Sequence, residues 1–258
     1  MDTNSLENTS DIFQIIPQGY SSIKEYMHIP VREEKVDSLQ PDKIKVILFD
    51  MDGTLIDTEK YYRVCWPKAA ADFGFTMTDE QALSLRSLGR PFAIAYFREM
   101  FGETADYAKI RERRKEYVAE QMAKEGIDLK PNAKQVLEDL RSAGFRLAVT
   151  TANDLERTNA YLQKLGLENI FDDLICATMV KQGKPAPDIY LYACERLGVL
   201  PEEACVLEDS PNGVLSAYRA GCRVVMIPDQ TEPDEALKKL LAFQAKDLEE
   251  FACKMMNK

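Results

Sequence analysis

A short apolar segment that ends in two carboxylates constrains this chain more than any other feature of its sequence. Residues 44–50 predict a strand, and the uninterrupted apolar stretch within them is typical of a strand buried on both faces of a sheet. Asp50 and Asp52 close the segment, and side chains two positions apart on an extended backbone point to the same side. Gly53 then allows the backbone to turn sharply. We interpret this strand end as a reaction centre.

Two further polar motifs follow along the chain. A second predicted strand, 145–150, runs directly into Thr151, Ala152 and Asn153. Lys184 lies in a proline-containing loop directly before a predicted helix, and the prolines restrict the backbone that carries its ammonium group. A lone threonine or lysine is most often structural, so the weight of these residues depends on the other motifs.

The fourth motif is a predicted strand, 204–208, that ends in the adjacent carboxylates of Glu208 and Asp209. If this strand and the one that ends at Asp50 lie in one parallel sheet, their acidic ends meet at the same edge. Like charges at such an edge repel each other unless a cation or phosphate chemistry uses them. Ligands of open α/β sheets bind at this carboxyl edge, so we expect the functional site there.

The four motifs, and above all the string Asp-Met-Asp-Gly-Thr-Leu-Ile-Asp-Thr from Asp50 to Thr58, resemble those of the haloacid dehalogenase-like superfamily. The resemblance covers about residues 44–230 and is greatest to phosphoglycolate phosphatase-like enzymes and the β-phosphoglucomutase-like group. It implies an α/β fold, with a three-layer, Rossmann-like parallel-sheet core and an inserted helical cap domain. Asp52 argues against dehalogenation, because haloacid-cleaving relatives need no acid at that position.

The periodicity of the chain agrees with this architecture. From residue 131 onward, helical and strand patterns alternate, which predicts a parallel sheet covered by helices. Residues 60–129 carry helical patterning without a convincing strand, and the charged run 109–115 predicts a solvated helix face. We therefore predict an N-terminal extension (1–42), an α/β core (43–59 and 130–258) and a helical cap (60–129). Further strands are predicted at 173–177 and 222–227, and helices at 132–143, 154–165, 187–197 and 213–220.

The resemblance implies a catalytic set of Asp50, Asp52, Thr151 and Lys184. Asp50 would attack phosphorus to give an aspartyl-phosphate. Asp52 would protonate the leaving oxygen and then deprotonate the water of the second step. Lys184 would add positive charge, and the Thr151 hydroxyl would hold phosphate oxygens together with nearby backbone amides.

A phosphomonoester dianion repels an anionic nucleophile, so we expect a Mg²⁺ cofactor that offsets this repulsion. The predicted metal ligands are Asp50, Asp209 and the backbone carbonyl of Asp52, with Glu208 binding directly or through water. The predicted substrate-binding residues are Gly53, Arg90, Ala152 and Asn153.

Side chains of the helical segment are candidates for contact with the substrate. Arg90 precedes a proline that predicts a helix start, so its alternative role is that of a surface charge at a helix end. Arg86 is a second candidate from the same segment. Tyr61, Tyr62 and Trp66 could face the substrate, although aromatic residues at helical spacing more often belong to a core.

Other residues near the motifs are expected to be structural. Asp57 and Thr58 are expected to form a turn or a helix cap. Ser210, Asn212 and Gly213 are expected to form a tight entry into the next helix.

Composition excludes several other functions. The net charge of −10 argues against a nucleic-acid partner, and the sole histidine, His28, argues against a histidine-rich zinc site and a Ser-His-Asp triad. No P-loop motif, apolar run of membrane-spanning length or secretory signal pattern is present. The six scattered cysteines suit a reducing compartment. We expect a cytoplasmic protein that acts on a small phosphorylated metabolite without nucleic-acid or membrane partners; the sequence identifies no protein partner.

Three functions are compatible with these residues, and a magnesium-dependent phosphatase is favoured. The alternative is a sugar-phosphate mutase, but mutases of the resembling group usually carry a histidine where this chain has Tyr62. They also carry Lys-Asn where this chain has Asp154-Leu155, and the loss of that lysine should weaken the binding of a second phosphate. A non-catalytic binding module that docks through residues 1–42 is the third function, and the intact catalytic positions argue against it.

Overall fold

The computed structural model describes residues 22–28, residue 30 and residues 36–257. Most of the predicted N-terminal extension, including its apolar residues between 12 and 20, lies outside the described residues. Within the extension, residues Ile23–Met27 form a short helix, α1, and the Ser22 hydroxyl accepts a hydrogen bond from the backbone amide of Glu25 at 3.0 Å.

One sheet of six parallel strands forms the centre of the described structure. Its strands are Val46–Phe49 (β1), Arg146–Thr151 (β2), Asp173–Cys176 (β3), Ala204–Glu208 (β4), Arg223–Met226 (β5) and Phe243–Gln244 (β6). Their spatial order is β3-β2-β1-β4-β5-β6. Phe49 pairs with Val149 on one side and with Leu207 on the other, so the ends of β1, β2 and β4 lie at the same level.

Helices connect the strands in two groups. Four of them follow β1 within residues 59–125: Glu59–Ala71 (α2), Asp79–Ser84 (α3), Arg90–Phe101 (α4) and Tyr107–Glu125 (α5). The later ones are Ala133–Ser142 (α6), Leu155–Leu165 (α7), Asp188–Leu197 (α8), Pro211–Ala220 (α9), Glu235–Lys238 (α10) and Leu248–Met255 (α11). None of the helices in the described ranges has the length and apolar composition required to cross a membrane.

The two faces of β1 are covered by different helices, because successive side chains of a strand point in opposite directions. Ile47 and Phe49 pack with residues of α6 and α11. Val46 and Leu48 pack with residues of α8 and α9. All four side chains are fully buried. The predicted fold class, a parallel α/β sheet between two layers of helices, is confirmed.

Each strand predicted from the sequence has a counterpart in the sheet, and the bounds differ by at most two residues. The sequence analysis did not identify β6, α10 or α11. β6 has only two residues, which are too few to show a strand period.

Residues 59–125, which we call the helical insertion, comprise α2 to α5 and contain an aromatic cluster of their own. The ring of Trp66 lies 5.5 Å from that of Phe97 and 6.0 Å from that of Tyr107. The two chain connections to the sheet pair with each other, since the amide of Asp57 donates to the carbonyl of Asp128 at 2.9 Å. The domain boundaries predicted after residues 59 and 129 stay a prediction, as does the role of the insertion as a mobile cap.

The predicted solvated face at residues 109–115 is wrong for one member of the run. Lys109 and Glu112 are exposed, but Arg114 is buried. The helical period places Arg114 four residues after Ile110 and three before Tyr117, on the inward-facing side of α5. A charge count along the sequence gives no sign of this orientation.

The packing of α11 leads to a prediction about stability. Phe251 is fully buried in the cluster that covers one face of the sheet, whereas Lys254 on the same helix is exposed. We expect Phe251→Ala to lower the free energy of unfolding by about 3–5 kcal/mol, because it removes a large buried side chain and leaves a cavity. Lys254→Ala should change it by less than about 0.5 kcal/mol. Denaturant unfolding measures both values, and similar effects of the two substitutions would contradict this packing.

Candidate active site

The carboxyl ends of β1, β2 and β4 meet at one edge of the sheet, and the four sequence motifs lie together there. The pairing of β1 with β4 continues for one residue, because the amide of Asp50 donates to the carbonyl of Leu207 at 2.9 Å. Asp50, Glu208 and Asp209 are all buried at this edge. Lys184 reaches the same position from the loop that precedes α8.

The ammonium group of Lys184 joins the acidic ends of two strands. It donates hydrogen bonds to Oδ1 of Asp50, to Oε1 of Glu208 at 2.6 Å and to the carbonyl of Thr150 at 3.2 Å. Burial opposes the charge of Lys184, but the two carboxylates outweigh this effect and raise its pKa well above the ordinary value. The lysine is therefore a fixed cation beneath the site.

Asp50, Glu208 and Asp209 form an acidic cluster in which one oxygen from each lies within 4.8 Å of the others. Oδ2 of Asp50 and Oδ1 of Asp209 are buried and accept no hydrogen bond from the described residues. Burial raises the pKa of Asp50 well above its usual range and that of Asp209 to about 7. Three hard oxygen ligands with unmet charge fit a divalent cation such as Mg²⁺.

The side chain of Asp52 is not part of this cluster and has separate partners. The Thr58 hydroxyl donates to Oδ1 at 2.5 Å, and the Asn153 amide donates to Oδ2 at 2.6 Å. Burial raises the pKa of Asp52, and the two hydrogen bonds offset this only in part. Asp52 is thus disposed to exchange a proton, and only its backbone carbonyl remains as the predicted metal ligand.

Thr58 and Gly53 support this arrangement. Thr58 is the N-cap residue of α2, as expected, and its carbonyl accepts from the amide of Tyr61 at 3.0 Å. Its hydroxyl makes no capping bond and orients Asp52 instead. Gly53 has a φ of +85°, and a Cβ atom at this position would lie 2.5 Å from Oδ2 of Asp209. Glycine is therefore required here both by the backbone and by the close approach of Asp209.

The polar residues after β2 form a small connected group beside Asp52. The Thr151 hydroxyl accepts a hydrogen bond from the backbone amide of Asn153 at 3.1 Å. Ala152 and Asn153 line the cavity described below, and their binding of substrate stays a prediction. Asp154 caps α7 by accepting from the amide of Arg157 at 2.9 Å.

The residues around Glu208 fix its carboxylate. The Tyr190 hydroxyl donates to Oε1 at 2.5 Å, and the Ser210 hydroxyl donates to Oε2 at 3.3 Å. Ser210 also caps α9 by accepting from the amide of Gly213 at 3.1 Å, which confirms the predicted tight helix entry. Tyr190 was not predicted from the sequence, because it lies in the first turn of a largely apolar helix and belongs to none of the four motifs.

A cavity of about 90 Å³ lies between this edge of the sheet and the helical insertion. Asp50, Asp52, Ala152 and Asn153 line it from the sheet, together with Arg157 of α7. The insertion contributes Glu59, Tyr62, Trp66, Arg86, Arg111 and Arg114, among others. Tyr61 is not among the lining residues, and its hydroxyl donates to the carbonyl of Gly126 at 3.2 Å.

The two arginines expected to contact substrate occupy different positions. Arg86 is buried and donates from Nη1 to Oδ2 of Asp209 at 3.2 Å. Arg90 is exposed at the start of α4 and does not line the cavity, so the structure does not support a substrate contact for it. Arg90 instead occupies the helix-end position that its following proline indicates. Arg86 is the arginine of this segment that reaches the site.

Glu59 is a further residue that the sequence analysis missed. It is buried in the first turn of α2 and lines the cavity. Burial, together with the nearby charges of Asp209 and Asp52, raises the pKa of Glu59 well above its usual range. A protonated carboxyl group at this position can donate a hydrogen bond to a bound oxygen atom.

Direct contacts hold the helical insertion against the site. The amide of Gly89 donates to the carbonyl of Lys184 at 2.7 Å. The side chain of Asn212 donates to the carbonyls of Ser84 at 2.9 Å and Arg86 at 2.8 Å. A Cβ atom at Gly89 would lie 2.8 Å from the Cα atom of Gly183, so only a residue without a side chain permits this approach.

These features agree with the relationships of the chain to known proteins. A family model described as haloacid dehalogenase-like hydrolase matches residues 47–227. This chain belongs to that family. The predicted superfamily, and with it the prediction of a hydrolytic enzyme, is confirmed.

Three relatives illustrate the similarity. Phosphorylated carbohydrates phosphatase of Thermotoga maritima is 33% identical over 183 residues, which are 69% of this chain and 82% of the relative. Protein CbbY of Cereibacter sphaeroides is 36% identical over 194 residues, 72% of this chain and 84% of the relative. The crystal structure of CbbY from Rhodobacter sphaeroides in complex with phosphate is 30% identical with a TM-score of 0.65, and the match covers 81% of this chain and 96% of that one.

The packing around Glu208 predicts that a Gly→Ala substitution in a helix destabilises the protein. Gly→Ala in a helix ordinarily stabilises by roughly 0.5–1 kcal/mol. At Gly213, however, the new Cβ would lie 1.9 Å from the carboxyl carbon of Glu208. We therefore expect Gly213→Ala to lower the free energy of unfolding by about 1–3 kcal/mol, as overpacking does. Thermal unfolding measures this value, with Asn159→Ala on the exposed face of α7 as the control, and a stabilised Gly213→Ala variant would contradict the observed contact.

Proposed function

We propose that this chain is a magnesium-dependent phosphatase that releases phosphate from a small phosphorylated metabolite through an aspartyl-phosphate intermediate. Its family and its phosphatase relatives make it a phosphohydrolase. The proposal of a magnesium ion and an aspartyl-phosphate rests on the different surroundings of the Asp50 and Asp52 carboxyl groups. Asp50 belongs to the acidic cluster beside Lys184, whereas Asp52 has its own hydrogen-bond donors and a raised pKa.

Asp50, Glu208, Asp209 and the backbone carbonyl of Asp52 would hold the magnesium ion. The buried oxygens of Asp50 and Asp209 that accept no hydrogen bond support this assignment. When bound, the ion would neutralise part of the phosphate charge and so permit approach of an anionic nucleophile.

Each residue of the site then has a distinct task. An oxygen of Asp50 forms a bond to phosphorus while the bond to the leaving oxygen breaks, and Asp52 gives its proton to that oxygen. The ionised Asp52 next takes a proton from water, and the water oxygen attacks phosphorus. The bond to Asp50 breaks, phosphate leaves, and both carboxyl groups return to their initial states. Lys184 keeps Asp50 oriented throughout. The hydroxyl of Thr151, the last residue of β2, would hold a phosphate oxygen.

Two positions favour a phosphatase over the mutase alternative. Asp154 stands where mutases of the group carry lysine, and its carboxylate caps α7, so it supplies no cation for a second phosphate. Tyr62 stands in place of the mutase histidine, and its hydroxyl is buried without a hydrogen-bond partner among the described residues. The intact catalytic positions likewise argue against a non-catalytic binding module.

The name of the Thermotoga relative suggests where to search for the substrate, and phosphorylated carbohydrates are the first class to test. For the compartment we propose the cytoplasm, because the six cysteines, all in the described part of the chain, form no disulfide. The net charge of −10 continues to argue against nucleic acid as a partner.

Phosphate release from a panel of phosphorylated metabolites tests this function. We expect release that requires Mg²⁺ and that stops on addition of a chelator. Asp50→Asn should lower kcat at least about a thousandfold because it removes the nucleophile. Asp52→Asn should lower it about a hundredfold to ten-thousandfold because it removes the proton donor.

Asp42→Asn, an exposed carboxylate before the amino end of β1, is the matched control and should leave release unchanged. Rapid quenching and intact-mass measurement should detect one added phosphoryl group on the native chain and none on Asp50→Asn. Undiminished release by Asp50→Asn would refute the proposed nucleophile. Interconversion of sugar-phosphate isomers with a bisphosphate primer, without net phosphate release, would establish the mutase instead.

A further inference from the structure

Arg114 is a buried cation without a counterion among the described residues. Its side chain is 7% exposed, and it forms no ion pair with any described residue. Its Nε atom is buried and donates no hydrogen bond. The guanidinium lies 4.8 Å from the ring of Tyr62 and 4.8 Å from that of Trp66. Removal of a charge from water without a partner is unfavourable, and burial accordingly lowers the pKa of Arg114.

The orientation of Arg114 indicates what would satisfy it. It lines the cavity that also contains Asp50 and Asp52, together with Arg157 of α7. Arg157 forms no ion pair with any described residue either, and only its backbone amide has an assigned bond, to Asp154. On the sheet side, the cavity therefore has the carboxyl groups of Asp50 and Asp52. Elsewhere its lining contains two guanidinium groups that form no ion pair with the described residues.

We propose that Arg114 and Arg157 form a subsite for a second anionic group of the substrate, a phosphate or a carboxylate. This inference rests on the proposed phosphatase function and defines its substrate class as a metabolite with a second anion away from the scissile phosphate. Guanidinium groups present paired N–H donors that match the oxygens of either anion. The aromatic rings of Tyr62 and Trp66 orient Arg114 without competing for these donors.

Neither arginine of this subsite was among the substrate-binding residues predicted from the sequence. Mutases of the resembling group bind a second phosphate with a lysine at the position of Asp154. In this chain the carboxylate of Asp154 caps α7 instead. The cap it forms fixes the first turn of α7, which carries Arg157 three residues later. Arg114 comes from the helical insertion, so the subsite exists only when the insertion lies against the sheet.

Three matched substrates test the subsite: a hexose monophosphate, the corresponding bisphosphate and the corresponding phosphorylated sugar acid. The native chain should show a kcat/KM at least about tenfold higher for the two doubly anionic compounds. Arg114→Gln should remove this preference, lowering kcat/KM about a hundredfold for them and less than about threefold for the monophosphate. The ratio of bisphosphate to sugar acid shows which anion the subsite prefers.

Binding to Asp50→Asn separates this proposal from the proposed catalytic function. Calorimetry should show tighter binding of the bisphosphate than of the monophosphate, and Arg114→Gln in the same background should abolish the difference. Such a result would sustain the subsite even if no compound were hydrolysed. An equal loss with all three substrates would overturn the proposal, as would the absence of a native preference. If Arg114→Gln fails to fold, Arg157→Gln and Arg114→Lys provide the same comparison.

A separate set of contacts joins the N-terminal extension to both parts of the molecule. Tyr26 of α1 is buried, and its ring stacks on Phe92 of the helical insertion at 5.2 Å. The guanidinium of Arg219, in α9, lies 4.0 Å from the centre of the Tyr26 ring and donates to the carbonyl of Tyr26 at 2.6 Å. Arg219 also donates to the carbonyl of Pro185, the residue after Lys184, at 3.0 Å.

From this geometry we infer that α1 is a latch that holds the insertion closed over the site. Tyr26 connects Phe92, which would move with the insertion, to Arg219, which is fixed on the sheet side. The same junction supports the loop of Lys184, where the amide of Gly89 forms its 2.7 Å hydrogen bond. Loss of the Tyr26 ring would therefore favour separation of Gly89 from that loop.

Hydrogen exchange at the Gly89 amide, followed by NMR, tests the latch without reference to activity. Tyr26→Ala should speed exchange at Gly89 about tenfold or more while amides of β1 stay unchanged, because only local opening is promoted. Lys24→Ala is the matched control on α1, since this exposed residue makes a long ion pair of 3.9 Å with Glu99 and no shorter one with the described residues. Unchanged exchange at Gly89 in Tyr26→Ala, or an equal increase at β1, would overturn the latch.

Discussion

A buried ammonium group between two strand ends is the interaction on which the rest of this structure depends. Three carboxylates lie at one edge of the sheet within 4.8 Å of one another, and their mutual repulsion would oppose folding. Lys184 binds two of them, Asp50 and Glu208, and Arg86 binds the third, Asp209. The two cations offset only part of the charge, and the remaining negative charge suits the divalent cation proposed above.

The same balance of charge couples the helical insertion to the sheet. Arg86 belongs to the insertion, yet its carboxylate partner belongs to the sheet edge. The backbone of Gly89 contacts the carbonyl of Lys184, the residue that neutralises the acidic cluster. The contact of the insertion with the sheet and the electrostatics of the site therefore depend on the same few residues. A substrate dianion that enters the cavity meets cations supplied from both sides.

The sequence predicted the sheet edge well because its residues are close together in the chain or mark strand ends. Asp50 and Asp52 are two positions apart, and Glu208 directly follows a run of apolar residues, so strand periodicity places them at one edge. Prediction failed where the relevant neighbour is distant in sequence. Arg114 belongs to a charged run that resembles a solvated face, and only the packing of α5 against α2 turns it inward.

Arg90 was predicted to contact the substrate but is exposed and does not line the cavity. A proline after an arginine indicates a helix start but not the direction in which the arginine points. Sequence by itself determined the α/β class, the alternation of helices and strands from residue 131 to residue 227, and the residues that meet at the carboxyl edge, because local periodicity and strand ends encode these. Only the tertiary structure decided which side chains of the insertion face the site, that Tyr190 holds Glu208, and that Tyr26 joins α1 to both halves. These contacts join residues far apart in the chain, so packing rather than local pattern selects them.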